Sequence, residues 1–154
     1  MKILKNLIIA VLALGWMGVI IYLSNQTGLE ALPLLQKLKI LPQIDNARLA
    51  QDVEYVVRKS AHILEYTILF ILVYLVNVKI FIRKENKKRL AKALLFSLFF
   101  CIIFACSDEA HQLFVPSRDG RLTDIFIDLF GVMLGQIVVL VGCIITPLRL
   151  LSEK

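Results

Sequence analysis

Glycine and proline are scarce in this sequence, and over one long stretch they are missing altogether. The 154 residues include only 7 glycines and 4 prolines, and neither residue occurs between Asn46 and Val115. These two residues most often interrupt helices and mark turns. Their absence allows NARLAQDVEYVVRKS, from Asn46 to Ser60, to run without a break into the apolar segment that follows.

Cysteine is also scarce. The three cysteines, Cys101, Cys106 and Cys143, each lie inside an apolar run. Their number and spacing exclude a disulfide framework and a cysteine-based metal motif. They are typical of small side chains buried in a hydrophobic environment.

Charge is missing from long parts of the chain. The segment from Ala93 to Cys106 carries none, hydrophobic residues make up 58% of the sequence, and the mean hydropathy is +0.77. Soluble domains contain about 45–50% apolar residues. The net charge of +6 is compatible with nucleic-acid binding, but the apolar runs favour a membrane protein with no nucleic-acid partner.

Four apolar segments are long enough to cross a bilayer, which takes roughly 20 residues of helix. They are residues 7–23, 61–78, 90–112 and 125–148. The first resembles a secretory signal, but it is long for one and no small-residue cleavage site precedes Ser24, so we expect an uncleaved span. The sequence therefore predicts one all-α domain over residues 1–154, an integral membrane bundle of four transmembrane helices.

Basic residues predict the orientation of this bundle, because cytoplasmic loops carry an excess of lysine and arginine. With both termini inside, eleven of the 18 basic residues are cytoplasmic: Lys2, Lys5, Lys79, Arg83, Lys84, Lys87, Lys88, Arg89, Lys92, Arg149 and Lys154. Of the 12 acidic residues, only Glu85 and Glu153 lie on that side. Both distributions predict an N-in, C-in arrangement.

The first outer loop is predicted to contain a short helix at the membrane interface. GLEALPLLQKLKILPQ places Leu32, Leu35 and Leu38 at helical spacing, and Pro33 and Pro42 are expected to bound the helix. In the fourth span, Gly131 and Gly135 form a G-x-x-x-G pattern, which indicates close helix packing.

Polar residues gather at one predicted depth, near the outer ends of the spans. Counting about 20 residues of helix from the basic loop places His62 and Glu65 just below the outer surface. The same count places Asp108 and His111 of the third span, and Asp128 of the fourth, in this layer. Burying such groups in lipid is costly, so we expect them to line a pocket and to lie close to one another.

The spacing of these polar residues supports a shared site. Two segments each present an i, i+3, i+4 set on one helix face: His62, Glu65 and Tyr66, and Asp108, His111 and Gln112. Asp124 and Asp128 lie one turn apart, and the basic residues Arg58, Lys59, Arg118 and Arg121 are expected at the rim. The N-termini of the second and fourth spans are expected to point amide donors toward the same place.

Two stretches carry a resemblance to a known family. KSAHILEY, from Lys59 to Tyr66, and SDEAHQLFVPSRDGRLTDIFIDLFG, from Ser107 to Gly131, resemble the two motifs of the VanZ-like membrane proteins, and SNQTG after the first span also fits. The chain departs from the family pattern at Ile63, Ser117 and Asp128. The resemblance implies a small multi-pass protein of the bacterial cell membrane. The family's namesake is associated with resistance to the glycopeptide antibiotic teicoplanin.

One hypothesis is an enzyme at the outer leaflet that acts on a phosphate-bearing envelope lipid, such as a lipid-linked cell-wall precursor or a phospholipid. His62, Glu65, Asp108 and His111 are the candidate acids and bases. The substrate-binding candidates are Arg58, Lys59, Tyr66, Gln112, Arg118 and Arg121. A divalent metal is a further possibility, with Glu109, Asp124 and Asp128 as candidate ligands, although the residues do not select one metal.

The alternative hypothesis is non-catalytic. The same residues are compatible with binding of a membrane lipid or a glycopeptide antibiotic, or with a structural network of charges between helices. Each residue taken alone is also compatible with simple solvation at a helix end. The sequence does not separate these functions.

The loop charges make the orientation testable. In a variant without the three native cysteines, Lys84→Cys is expected to resist an impermeant thiol reagent in intact cells, and Asp119→Cys is expected to react. Reaction at position 84 with protection at position 119 would reverse the orientation.

Overall fold

The computed structural model describes residues 2–25, 31–81, 87–115 and 121–145. Five α-helices make up most of these residues: α1 (Lys2–Ser24), α2 (Ala31–Lys37), α3 (Ala47–Phe81), α4 (Lys87–Gln112) and α5 (Leu122–Ile145). The described part of the chain contains no strand. The predicted all-α class is therefore confirmed.

Four of the helices are long and apolar enough to cross a membrane, as predicted. The qualifying segments are Leu4–Ser24, Ala47–Lys79, Leu90–Gln112 and Leu122–Cys143. The third has the predicted bounds, and the fourth begins three residues earlier than predicted. Residues 146–148 of the predicted fourth span, and the basic residues beyond them, lie outside the described residues.

Helix α3 is longer than a bilayer crossing requires. Its 35 residues span about 52 Å at 1.5 Å per residue, against a hydrocarbon core of about 30 Å. The side chain of Asn46 caps it, since Asn46 Oδ1 accepts hydrogen bonds from the amides of Arg48 and Leu49 at 3.0 and 3.2 Å. The predicted continuation from Asn46 into the second span is thus confirmed. The segment Ala47–Lys59 carries most of the charge of α3, so we expect this part to extend beyond the hydrocarbon.

The short helix predicted in the first loop is present as α2, with different bounds. Pro33 lies inside its first turn, where the missing amide proton costs no helical hydrogen bond, so Pro33 does not bound the helix as predicted. Leu38 lies beyond its end, and Lys39 adopts a φ of 56°. The amide of Leu32 donates a hydrogen bond of 2.6 Å to Glu54 Oε2, which ties α2 to α3.

Helix α3 is the centre of the bundle and packs against each of the other four helices. The contacts between α3 and α5 run in the same direction along both helices, from Lys59 with Asp124 to Tyr74 with Cys143. These two helices are therefore parallel. The contacts between α3 and α4 advance in opposite directions, from Tyr66 with Asp108 to Asn77 with Ser97, so that pair is antiparallel.

Two glycines allow α3 and α5 to approach at backbone distance. A Cβ atom at Gly131 would overlap the carbonyl oxygen of Ile63, and one at Gly135 would lie 2.7 Å from the carbonyl oxygen of Thr67. The Thr67 hydroxyl lies 2.7 Å from Ile63 O on its own helix and 2.9 Å from Gly131 O across the contact, and its single proton is shared between these two acceptors. The predicted packing role of the G-x-x-x-G pattern is confirmed.

This contact predicts that replacing glycine by alanine has different effects on stability at two positions of α5. Gly131→Ala is expected to destabilise the protein by about 1–3 kcal/mol, because the new methyl group forces the two backbones apart. Gly142→Ala on the same helix is the control, since no atom of another described helix lies within 4 Å of the added carbon. Thermal unfolding in one detergent should show a lower Tm for Gly131→Ala and an equal or higher Tm for Gly142→Ala. Equal Tm values for the two variants would show that the close contact is unimportant.

Candidate functional site

Polar side chains from four helices meet at one end of the bundle. We call this the polar end, and it is marked by Ser24 of α1, Lys59 of α3, Gln112 of α4 and Leu122 of α5. Sequence analysis predicted this gathering from the counted depth of each residue. The structure adds the pairings, which the counts alone did not provide.

Asp108 of α4 connects three helices at the polar end. The Ser24 hydroxyl donates a hydrogen bond of 2.7 Å to Asp108 Oδ2, and the Tyr66 hydroxyl lies 3.5 Å from the same oxygen. Gln112 Nε2 donates to the Ser24 hydroxyl oxygen at 3.4 Å. Asp108, Tyr66, Ser24 and Gln112 are all buried. Asp108 therefore acts as a shared acceptor between α1, α3 and α4.

Two pairs of charged residues connect α3 with α5. Lys59 Nζ lies 2.6 Å from Asp124 Oδ1, and His62 Nδ1 lies 3.3 Å from Asp128 Oδ1. From the first pair to the second, the contact moves about one helical turn toward the C-terminus on both α3 and α5. Two successive pairs of this kind require the helices to be parallel. The Lys59 ammonium also lies 5.5 Å from the centre of the Tyr55 ring, within cation–π range.

The side chain of Glu109, a residue of α4, contacts the start of α5. Its Oε1 accepts a hydrogen bond from the backbone amide of Arg121, immediately before Leu122. A carboxylate is favoured at that position, because the first amides of a helix carry partial positive charge. The amide of Arg121 is thus already bound by the protein itself. The expectation that α3 also begins at the site is wrong, since α3 starts at Ala47, fifteen residues before His62.

Several buried polar atoms at the polar end have no hydrogen-bond partner within the described part of the chain. They are His62 Nδ1, Asp108 Oδ1, Glu109 Oε2, and both Oδ atoms of Asp128. His62 and Asp128 are close enough for an ion pair but do not meet hydrogen-bond geometry. Buried polar groups are usually hydrogen-bonded, because an unpaired one costs free energy. A set of such atoms on three adjacent helices therefore indicates a place where water or a ligand supplies the missing contacts.

The predicted site residues do not all take part in these contacts. His111 is exposed, and its Nε2 lies 2.9 Å from Asn25 Oδ1. The ion-pair partner of His62 is Asp128 on α5. Glu65 is half-buried, and its backbone oxygen accepts a hydrogen bond of 2.9 Å from Trp16 Nε1.

The predicted rim cations are dispersed. Arg58 is exposed and faces α2, beside a pocket described below, and Arg121 is exposed at the start of α5. Arg118 lies outside the described residues. Lys59 is the cation that the structure places beside the buried carboxylates, where only 13% of its side-chain surface is exposed.

The structure does not bring the predicted metal ligands together as a ligand set. Among the described residues, no group of three or more His, Cys, Asp or Glu side chains is placed to hold a metal ion. Glu109, Asp124 and Asp128 instead lie beside the Arg121 amide, Lys59 and His62, respectively. The geometry gives no support to the metal hypothesis for these three residues.

Some contacts at this end were not predicted. Trp16 is the only tryptophan in the chain, and its indole N–H requires an acceptor when it is buried, which is a usable signal. The Ser24 hydroxyl joins α1 to Asp108, a contact that was also not predicted. Deeper in the bundle, Asn77 Nδ2 donates to Ser97 Oγ at 2.9 Å, a contact for which the sequence gave no signal.

A comparison with protein families agrees with this architecture. The family model described as VanZ/LLP1 matches residues 9–145, which include all of α2–α5 and the last 16 of the 23 residues of α1. This match confirms the resemblance drawn from the two motifs. No curated protein and no solved structure matches the chain.

The bond between Ser24 and Asp108 gives a stability prediction. Ser24→Ala removes the donor and leaves a buried carboxylate oxygen with one fewer partner, so we expect a loss of about 1–3 kcal/mol. Ser107→Ala is the matched control, because that exposed hydroxyl bonds only to the carbonyl of Ile103 on its own helix. Thermal unfolding of both variants measures the difference. Similar Tm values for the two would mean that the Ser24–Asp108 contact does not stabilise the bundle.

Proposed function

The chain belongs to the VanZ/LLP1 family, and we propose that it is a multi-pass envelope protein whose polar end binds and processes the headgroup of a phosphate-bearing lipid. In this proposal the polar end faces outward from a bacterial cell membrane, in accord with the distribution of basic residues. The ligand is a membrane lipid, for which a lipid-linked cell-wall precursor and a phospholipid are the two sources considered.

The observation that carries the proposal is the set of buried polar atoms on His62, Asp108, Glu109 and Asp128 that have no hydrogen-bond partner among the described residues. Ionisable groups at membrane depth are costly, and they usually face a cavity or an aqueous path and serve a function. A bundle stabilised by apolar packing alone does not require three carboxylates in this position. The proposed ligand completes contacts that the described side chains leave unmade.

The His62–Asp128 pair is the proposed acid–base element. Asp128 is fully buried and faces His62 Nδ1, so it orients the imidazole and leaves Nε2 as the nitrogen that exchanges a proton with a bound lipid. Asp108, held by Ser24 and Tyr66, is the second carboxylate within this group of buried residues. His111 is proposed to have a peripheral role, because it is exposed and paired with Asn25.

Positive charge near the polar end supports the phosphate part of the proposal. Lys59 lies at the edge of the buried carboxylates, and Arg58 and Arg121 are exposed at the same end of the bundle. Lysine and arginine bind phosphate through charge-assisted hydrogen bonds. Arg118, at a motif position between α4 and α5, is proposed to contribute to the same recognition.

A structural network is the second candidate, and the paired contacts favour it. Lys59–Asp124 and Ser24–Asp108 each join two helices, and buried polar pairs of this kind can fix helix register without any chemistry. Under this alternative, substitutions at the site reduce stability, and the wild type itself shows neither lipid binding nor lipid turnover.

One experiment separates the two candidates. The purified wild type is incubated with a polyprenyl-linked cell-wall precursor or a phospholipid, with and without divalent metal, and the lipids are analysed by mass spectrometry. We expect turnover by the wild type and a loss of about a hundredfold or more in His62→Asn and Asp128→Asn, as for removal of an acid–base group. Asp52→Asn is the control, since Asp52 is exposed on the extended part of α3.

The outcomes are distinct. If the wild type binds a lipid but leaves it unchanged, the catalytic part of the proposal is wrong and the binding part stands. If no lipid binds, and His62→Asn and Asp128→Asn lower the Tm while Asp52→Asn does not, the structural network is the better account. Teicoplanin susceptibility of cells that express the same variants then tests the resistance suggested by the family resemblance.

A further inference from the structure

A pocket lies next to the polar end, between α2 and the extended part of α3. This pocket has a volume of about 520 Å³, within the range of small-molecule sites. The residues that line it include Leu32, Ile44, Gln51, Glu54, Tyr55 and Arg58. None of the contacts that form the buried site at the polar end uses this volume, and we call it the α2–α3 pocket.

The position of the α2–α3 pocket indicates which part of a lipid it meets. About 20 residues of helix counted from Lys79 reach the hydrocarbon boundary near Ser60. Gln51 to Arg58 then lie about 3–14 Å beyond that boundary, at 1.5 Å per residue. This is the headgroup layer and the water next to it, where acyl chains are not expected. The occupant is therefore the polar part of a ligand.

The lining of the α2–α3 pocket combines apolar surface with hydrogen-bonding groups. Leu32 and Ile44 provide apolar walls, and Tyr55 provides an aromatic face. Gln51 offers an amide group, which both donates and accepts hydrogen bonds, whereas the carboxylate of Glu54, another lining residue, is bonded to the Leu32 amide. A sugar ring has the matching character, because its C–H faces pack on apolar and aromatic surface while its hydroxyls bond to amides and carboxylates.

Helix α3 arranges these groups in a fixed order. His62 lies among the buried polar groups, Lys59 and Arg58 follow toward the helix start, and Tyr55 and Gln51 in the pocket come last. A glycosylated lipid has the same order of parts: a hydrocarbon chain, a phosphate, and then a sugar. Tyr55 joins the two regions, since it lines the pocket and its ring lies 5.5 Å from the Lys59 ammonium.

We propose that the α2–α3 pocket binds a sugar attached to the phosphate of the membrane lipid held at the polar end. The inference rests on the proposed function and narrows its ligand to glycosylated lipid phosphates. In this arrangement Lys59 and Arg58 contact the phosphate, and Gln51 and Tyr55 contact the sugar. A phospholipid without a sugar would leave the pocket empty.

The test compares two polyprenyl phosphate diesters of equal charge: one in which the phosphate carries a methyl group and one in which it carries a hexose. Binding to the full chain in lipid nanodiscs is titrated and read by native mass spectrometry. For the wild type we expect the hexose to tighten binding about tenfold, which equals about 1.4 kcal/mol. Ala50→Trp fills the pocket, because Ala50 is one of its lining residues, and should remove this gain while leaving binding of the methyl diester unchanged.

Matched controls separate pocket filling from damage to the helix. Ala47→Trp makes the same change at an exposed position of α3 and should retain the tenfold preference. Gln51→Ala removes a polar pocket contact without adding bulk and should reduce the preference, whereas Gln43→Ala, at an exposed position in the preceding loop, should not. This second pair keeps the test valid if Ala50→Trp fails to fold.

Failure of this inference differs from failure of the proposed function. Equal binding of both probes by the wild type, or equal behaviour of Ala50→Trp and Ala47→Trp, overturns the sugar site and leaves the phosphate-lipid proposal standing. No binding of either probe overturns both. A change of oligomeric mass in Ala50→Trp alone would show that a second copy of the chain occupies the pocket, which also overturns the sugar site.

Discussion

The backbone contact between α3 and α5 determines where the charged groups of the polar end stand. Gly131 and Gly135 let α5 approach Ile63 and Thr67 more closely than any larger residue allows. This distance and register set Asp124 opposite Lys59 and Asp128 opposite His62. Short, charged side chains such as aspartate reach a partner on another helix only when the backbones are close. The ion pairs are therefore consequences of a packing contact one turn deeper in the bundle.

The balance of charge at the polar end constrains any mechanism. Five carboxylates, from Glu65, Asp108, Glu109, Asp124 and Asp128, lie in the same layer as Lys59 and His62. Under the proposed function, an anionic phosphate is therefore expected to contact the lysine and arginine side chains, and the carboxylates are expected to hold and orient other groups. Buried ion pairs contribute little to net stability, because desolvation offsets most of the attraction. The presence of these charged groups is therefore better explained by a role in ligand binding or in fixing helix register than by a gain in stability.

The sequence predicted the helices well because their signals are local. Uncharged runs and the absence of glycine and proline from Asn46 to Val115 were sufficient for four spans and a continuous α3. The shared depth of His62, Asp108 and Asp128 followed from counting residues along helices. The side-chain partner of each residue could not be predicted in this way. The partner depends on how each helix is rotated about its axis, and packing against the other helices sets that rotation. Thus Asp128, predicted as a metal ligand, faces His62, while His111, predicted as catalytic, is exposed and bonds to Asn25.

The uninterrupted length of α3 makes this chain sensitive to the thickness of the bilayer around it. The helix is one rod that contributes Asn77 to the contact with Ser97, His62 to the pair with Asp128, and one wall of the α2–α3 pocket. A rod longer than the hydrocarbon core adjusts to a thinner membrane mainly by tilting. Because α3 contains no glycine or proline hinge, a tilt moves the pocket and the acids together relative to the lipid headgroups. The species of lipid that surround the protein can thus set the height at which its polar end meets a ligand.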